Sequence, residues 1–250
     1  MEIEGKVAIV SGASRGMGRA IAEKLAGAGA RVTLVAQGRA ALQVVADKIA
    51  AEGGQAMVVP ADVRSLADTE RMARATCERW GTIDILVNCA FWGPPASIEA
   101  TTEDLWDRTL DTTLKGPFLC TRAVVPTMKE KGGGRIVNIG SRAGKVGEDN
   151  RTAYCAAKWG LEGLSAALSI ELLADNIHVH LITPAATETP WWTEVAGELP
   201  AEARARMIPP DTIAQAVQWV LTQPERVHIP DVLIYNFRDP FEGKNSPFAD

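Results

Sequence analysis

The 250-residue chain has little of what builds a metal or disulfide framework. It has three histidines, and His178, His180 and His228 lie on or beside late strand-like runs without metal-ligand spacing. That arrangement points to structural histidines and no metal. Four cysteines (Cys77, Cys89, Cys120, Cys155) are scattered with no CxxC pair, the pattern of free thiols in a reducing cytoplasm. No apolar run reaches the ~18 residues of a membrane helix. Positive charge is not in excess: 26 Lys and Arg face 31 Asp and Glu, which argues against a nucleic-acid partner. The opening MEIEGKVAIV lacks the basic start and small-residue cleavage site of a secretory signal, so the expected location is the cytoplasm. What remains is ordinary globular chemistry, 46% hydrophobic and 23% charged. A chain of this length can bury its core without staples.

Short β-branched runs alternate with helix-period stretches. The strand-like runs are Lys6–Val10, Arg31–Val35, Gln55–Val59, Ile83–Val87, Arg135–Ile139, Ile177–Ile182 and Val232–Tyr235. Between them lie Gly18–Ala28, Leu42–Glu52, Leu66–Trp80, Leu105–Lys129, Tyr154–Leu173 and Ile213–Leu221. Strands apolar at nearly every position are buried on both faces. The expectation is an α/β fold: one domain over residues 1–250, with a mainly parallel seven-stranded sheet and helices on both faces. The proline-rich stretch 184–210, with adjacent Trp191 and Trp192, breaks the rhythm and reads as a substrate-binding loop or lid.

The first strand runs into Ser11-Gly12-Ala13-Ser14-Arg15-Gly16-Met17-Gly18 and then a helix. Glycine permits the positive φ of a tight turn and lets backbone N–H groups approach a pyrophosphate at the helix N-terminus. Spacing alone is weak evidence, but its place between first strand and helix makes a dinucleotide cradle the expectation. Gly12, Ser14, Arg15, Gly16, Met17 and Gly18 are its candidate contacts. NAD-preferring folds place an acid near the end of the second strand to hold the ribose 2′-hydroxyl. Here that stretch is Val35-Ala36-Gln37-Gly38-Arg39, without an acid. Arg15 and Arg39 instead suit a 2′-phosphate, so NADP(H) is expected over NAD(H), which stays possible. Asp62-Val63 after the third strand can serve the adenine.

Tyr154 and Lys158 are four residues apart on one helix face, and Ser141 ends the preceding strand. A free phenol titrates near 10, too high to trade protons at neutral pH. A lysine cation near 4 Å stabilises the phenolate by about 4 kcal/mol at an effective dielectric of about 20. Ser141 can hydrogen-bond the substrate oxygen as charge gathers on it. The second tyrosine, Tyr235, falls on the last strand and reads as core.

Together these residues resemble the short-chain dehydrogenase/reductases in their single-domain form, over nearly the whole chain. The matching pieces are Ser11 to Gly18, Asp62-Val63, Asp84-Ile-Leu-Val-Asn88, Ser141, Tyr154-x-x-x-Lys158, and Pro184 with Thr189. The resemblance implies a Rossmann-like, doubly wound fold. It implies Tyr154 as general acid/base, Ser141 orienting the carbonyl, and Lys158 lowering the tyrosine pKa and holding the nicotinamide ribose. It adds Asn88, Ala90, Pro184, Thr187 and Thr189 as cofactor contacts, with Ile182 beside Pro184 at the nicotinamide. It also implies a homo-oligomer, dimer or tetramer.

Four departures stand out. Asn88-Cys89-Ala90-Phe91 replaces Asn-Asn-Ala-Gly, so a phenylalanine stands where glycine lets the cofactor pass. Thr113 replaces the fourth catalytic residue, an asparagine, which puts the proton relay from Lys158 in question. Pro184-Ala185 replaces Pro-Gly, and the glycine-rich ending is replaced by HIPDVLIYNFRDPFEGKNSPFAD, which weakly resembles a carbonyl and hydroxy-acid reductase branch.

Trp92, Trp191 and Trp192, with Phe91, suggest a pocket for an apolar or aromatic small molecule. Trp159 points away from Tyr154 by helical phase. Arg142, Lys145 and Arg151 flank Ser141 and Tyr154; an anion-binding role competes with plain solvent exposure, which is the expectation. The function expected is an NADP(H)-dependent oxidoreductase interconverting a carbonyl compound and an alcohol. The alternatives are a cofactor-binding regulator or scaffold with a decayed site, an NAD-linked alcohol dehydrogenase and, last, another chemistry such as dehalogenation.

Overall fold

The computed structural model describes residues 2–241. Seven parallel strands form one sheet: β1 (Val7–Ser11), β2 (Arg31–Ala36), β3 (Gln55–Pro60), β4 (Ile85–Asn88), β5 (Gly134–Ile139), β6 (Ile177–Pro184) and β7 (Asp231–Ile234). Their order is β3-β2-β1-β4-β5-β6-β7. The chain therefore reverses direction across the sheet between β1 and β4, the switch point where such folds open a crevice at the strands' carboxyl ends.

Alternate strand residues feed two helical layers. Ala8, Val10, Val32 and Leu34 pack with α1 (Gly16–Gly27), α2 (Arg39–Ala51) and α9 (Pro210–Thr222). Ile9, Val35, Leu86 and Ile136 pack with α3 (Leu66–Trp80) and α5 (Gly116–Glu130) on the other face. The period-2 alternation of strand side chains makes both faces apolar, hence the unbroken hydrophobic runs. This is the expected doubly wound, Rossmann-like architecture.

Two expectations change. The single helix expected over Leu105–Lys129 is α4 (Glu103–Leu110), a π-helical turn (Asp111–Lys115) and α5. Pro117 has no N–H for the Thr113 carbonyl four residues back, and Gly116 N–H reaches the Asp111 carbonyl five back instead. The stretch 184–210 is not irregular throughout: it carries α7 (Pro190–Ala196) and α8 (Ala201–Arg206), with Pro190 at the first helical position. The chain's last nine residues, part of the divergent ending, lie outside the described ones.

Candidate active site

Gly12 and Gly16 have φ of +68° and +55°. A Cβ on Gly18 would stand 2.2 Å from the Gly12 carbonyl oxygen, and one on Gly12 2.9 Å from the Ala90 backbone. The turn closes only without side chains there. The Ser11 hydroxyl ties β1 to the end of β4 by accepting from Cys89 and Ala90 N–H (3.1 and 3.3 Å). No side chain caps α1 and its first turn holds no acid, so its N–H groups stay available to an anion. Above this turn opens a cavity of about 450 Å³, lined by Gly12, Ser14, Arg15, Gly16, Met17 and Gly18 and, on its far side, by Gln37, Asp62 and Val63. An uncapped helix start, a glycine turn and a long cleft fit a dinucleotide.

Not every candidate reaches that cleft. Arg39 is exposed at the start of α2 and does not line it. Asn88 is buried between strands: its amide N–H donates to Asn138 Oδ1 (2.8 Å), and the Asn138 amide N–H donates to the Ser165 hydroxyl. That side chain braces β4 against β5 and lines neither that cleft nor the cavity around Tyr154. Arg64 was missed, although it directly follows the Asp62-Val63 motif. It lines the cleft and grips the Asp62 carboxylate at 2.6–3.0 Å, holding it below the usual carboxylate range. Arg15 forms an ion pair with Glu194 of α7, which ties the glycine turn to that helix.

A second cavity of about 210 Å³ adjoins the first, sharing Met17, Phe91, Thr189 and Trp191. Ser141, Arg142, Arg151, Tyr154, Pro184, Thr187 and Trp192 line it. Tyr154 is buried at its floor. Burial pushes its phenol up, and the Arg151 guanidinium and a hydrogen bond with Ser141 pull it back down. Arg151 lies 4.1 Å from the Tyr154 ring centre, whereas Lys158 Nζ lies 5.7 Å away. Arg151 is thus the nearer of the two cations to the ring centre. Lys158 is wholly buried beneath Phe91 and donates to the Ile139 carbonyl at 2.6 Å; desolvation brings it down to about 8.

The aromatic wall is built as a chain. Phe91 meets both Tyr154 and Trp191 at 6.0 Å, Trp191 meets Trp192 at 4.9 Å, and the Trp192 indole N–H donates to the Thr187 carbonyl at 2.8 Å. Trp92, expected on this wall, lines the larger cleft instead. The Thr113 hydroxyl accepts from Trp92 N–H (3.1 Å) and donates to its carbonyl (2.9 Å), while Arg108 stacks on the indole at 4.2 Å. Thr113 is itself fully buried and lines neither cavity. Tyr235, expected as core, is half-exposed just past β7 and lines the smaller cavity. Its place at a strand's carboxyl end was the available signal. Trp159 is exposed on α6 (Thr152–Glu171), away from Tyr154 as its phase predicts. Arg151 is buried rather than solvated, and Arg142 is part-buried and paired with Glu148 at 3.0 Å.

The three histidines cluster at 5.5–6.0 Å, and burial brings His180 down to about 4. Among the described residues no group of three or more His, Cys, Asp or Glu is arranged to hold a metal, and no helix is long and apolar enough to cross a membrane. All four cysteines are free thiols.

A family model described as short chain dehydrogenase matches residues 6–199. The chain is 42% identical to the trans-4-hydroxycyclohexanecarboxylate dehydrogenase of Sinomonas cyclohexanicum over 195 residues, covering 74% of this chain and 73% of that protein. It is 35% identical to (2S)-[(R)-hydroxy(phenyl)methyl]succinyl-CoA dehydrogenase subunit BbsD of Thauera aromatica, covering 87% and 89%. The crystal structure of a metagenomic short-chain oxidoreductase in complex with NADP superposes with a TM-score of 0.82 at 34% identity, covering 96% of this chain and all of that one.

Proposed function

The chain belongs to the short-chain dehydrogenase family, and we propose that it interconverts a ketone or aldehyde and the corresponding alcohol on a small ring-bearing molecule, using NADP(H) in preference to NAD(H). One observation carries the reading: the small cavity with Ser141 and Tyr154 on its wall shares Met17, Phe91, Thr189 and Trp191 with the cleft above the glycine turn. When bound there, the nicotinamide supplies the hydride donor for reduction and the acceptor for oxidation.

Tyr154 handles the proton, giving it to the developing alkoxide in reduction and taking it from the alcohol in oxidation. Ser141, which shares the cavity wall with Tyr154 and helps lower its phenol, donates to the substrate oxygen as charge gathers there. The buried Lys158 and Arg151 cations favour the phenolate. Thr113 acts by fixing the Trp92 backbone, since its hydroxyl is engaged there on both sides.

NADP preference is supported by the absence of an acid at the end of β2, by Arg15 in the cleft and by the NADP-bound relative. A ring-bearing substrate is supported by the Phe91–Trp191–Trp192 wall and by relatives named for cyclohexane and phenyl compounds. Exposed Phe118, Ile170 and Trp219 support a homo-oligomer.

The test follows nicotinamide absorbance with purified protein, NADPH or NADH, and a panel of aromatic and alicyclic ketones. Turnover that favours NADPH supports the proposal. NADPH binding without turnover of any carbonyl compound would leave a cofactor-binding protein with a spent site.

A further inference from the structure

We infer that Arg151 is the anion-binding residue of the small cavity, and that the substrate is a hydroxy acid or oxo acid whose carboxylate seats on its guanidinium. This names the substrate class of the site proposed above and rests on that oxidoreductase reading.

Three cations flank Ser141 and Tyr154, and two already have acids. Arg142 pairs with Glu148 at 3.0 Å, and Lys145 pairs with Glu162 and Asp231 at 2.9 and 2.7 Å. Arg151 has none. It is only 6% exposed, its Nε is buried without a hydrogen-bond partner, and no carboxylate among the described residues lies within 4.0 Å of it. A guanidinium offers five donors and keeps its charge, so a buried one calls for an acceptor, and a ligand carboxylate would supply it. The second buried cation, Lys158, adds charge of the same sign.

The position of the guanidinium relates it to the reacting group. The guanidinium carbon lies 4.1 Å from the Tyr154 ring centre and 4.7 Å from that of Trp191. The guanidinium thus lies against both rings, and Arg151 borders the cavity that Ser141 and Tyr154 also line. The cavity's own acids do not answer it: Glu148 is held by Arg142, and Asp239 is exposed and accepts from Phe241 N–H at 2.8 Å. A planar carboxylate matches a guanidinium edge in two parallel hydrogen bonds. Because Arg151 stacks on the ring whose hydroxyl serves the reacting oxygen, carboxylate and reacting carbon belong to one molecule, a few bonds apart. A volume of about 210 Å³, below that of drug-sized sites, suits a small acid.

The test compares wild type, Arg151→Gln and Arg151→Lys. The substrates are keto acids with the carboxylate at increasing distance from the carbonyl, each beside its primary amide. Benzoate and benzamide are titrated separately into cofactor-free protein by tryptophan fluorescence, with Trp191 as the reporter. At least one keto acid should exceed its amide by about 30-fold or more in kcat/KM. Arg151→Gln should bring the acid-to-amide ratio of kcat/KM close to one, beyond any slowing common to both from the lost pull on the Tyr154 phenol, with NADPH affinity little changed, and Arg151→Lys should restore part of the ratio. Benzoate should perturb wild type and not Arg151→Gln. Equal turnover of acids and amides by wild type, or an acid-to-amide ratio that Arg151→Gln leaves intact, would overturn the proposal. Benzoate binding that depends on Arg151, with no carbonyl compound reduced, would sink the oxidoreductase reading and leave the anion site standing. Neutral ketones reduced with no preference for acids would do the reverse.

Discussion

Replacing Arg15 by Ala separates two roles the structure gives one guanidinium. Arg15 pairs with Glu194 of the lid helix, and both side chains are about half exposed (53% and 49%). An ion pair that wet contributes about 0–1 kcal/mol. Its loss should therefore weaken any cofactor that needs the lid closed by no more than about fivefold. A contact to a 2′-phosphate is charge-assisted and contributes about 1.5–3 kcal/mol, about 10–150-fold in affinity. Other cations are poorly placed to substitute, since Arg64 is bound to Asp62 and Arg39 lies outside the cleft. Arg15→Ala should weaken NADPH by at least about tenfold and NADH by less than about fivefold. Glu194→Gln releases the guanidinium and should tighten NADPH while leaving NADH nearly unchanged. Titration of each cofactor by the fluorescence of Trp92 and Trp191, which line the cleft, reads both numbers. Equal losses for the two cofactors would refute the 2′-phosphate role and leave Arg15 as a latch.

Other substitutions test the remaining parts. Burial depresses Lys158 to about 8 from its ordinary 10.5, so between those values the folded state has released a proton that the unfolded state keeps. Wild-type stability relative to Lys158→Met should then rise with pH across that window, by about 3 kcal/mol. Urea midpoints taken across it should show the rise, and a flat difference would contradict it. Thr113→Val should cost about 1–3 kcal/mol by leaving the Trp92 N–H and carbonyl unpaired, while Thr113→Ser should be near wild type. A valine variant as stable as wild type in thermal unfolding would disprove that role. Replacing Trp191 and Trp192 together by Ala should raise KM or lower kcat, and unchanged kinetics would remove the lid helix from the site.

The layered fold was legible because strands buried on both faces leave a strong hydrophobic signature. The glycine cradle was legible because backbone needs fix residue type at Gly12, Gly16 and Gly18. The placement of Tyr154 with Ser141 followed from local spacing. What failed was set by tertiary packing. The π turn at Asp111–Lys115 arises from one missing donor at Pro117, which leaves the helical period intact. The bracing of Asn88 is also not legible from sequence, because it depends on Asn138 and Ser165, distant along the chain. Arg151 reads as a solvated cation in one dimension; only the folding of α7 over α6 stacks Trp191 on it and seals it in. Tyr235 became part of the cavity because β7 ends one residue before it.

The central claim is that Tyr154 exchanges the proton at a site where the cofactor binds independently. Turnover of a ketone and NADPH affinity should therefore be measured side by side for wild type and Tyr154→Phe. Loss of turnover by about 10²–10⁴-fold with unchanged NADPH affinity is the predicted result. Wild-type turnover in Tyr154→Phe would contradict the account at its root.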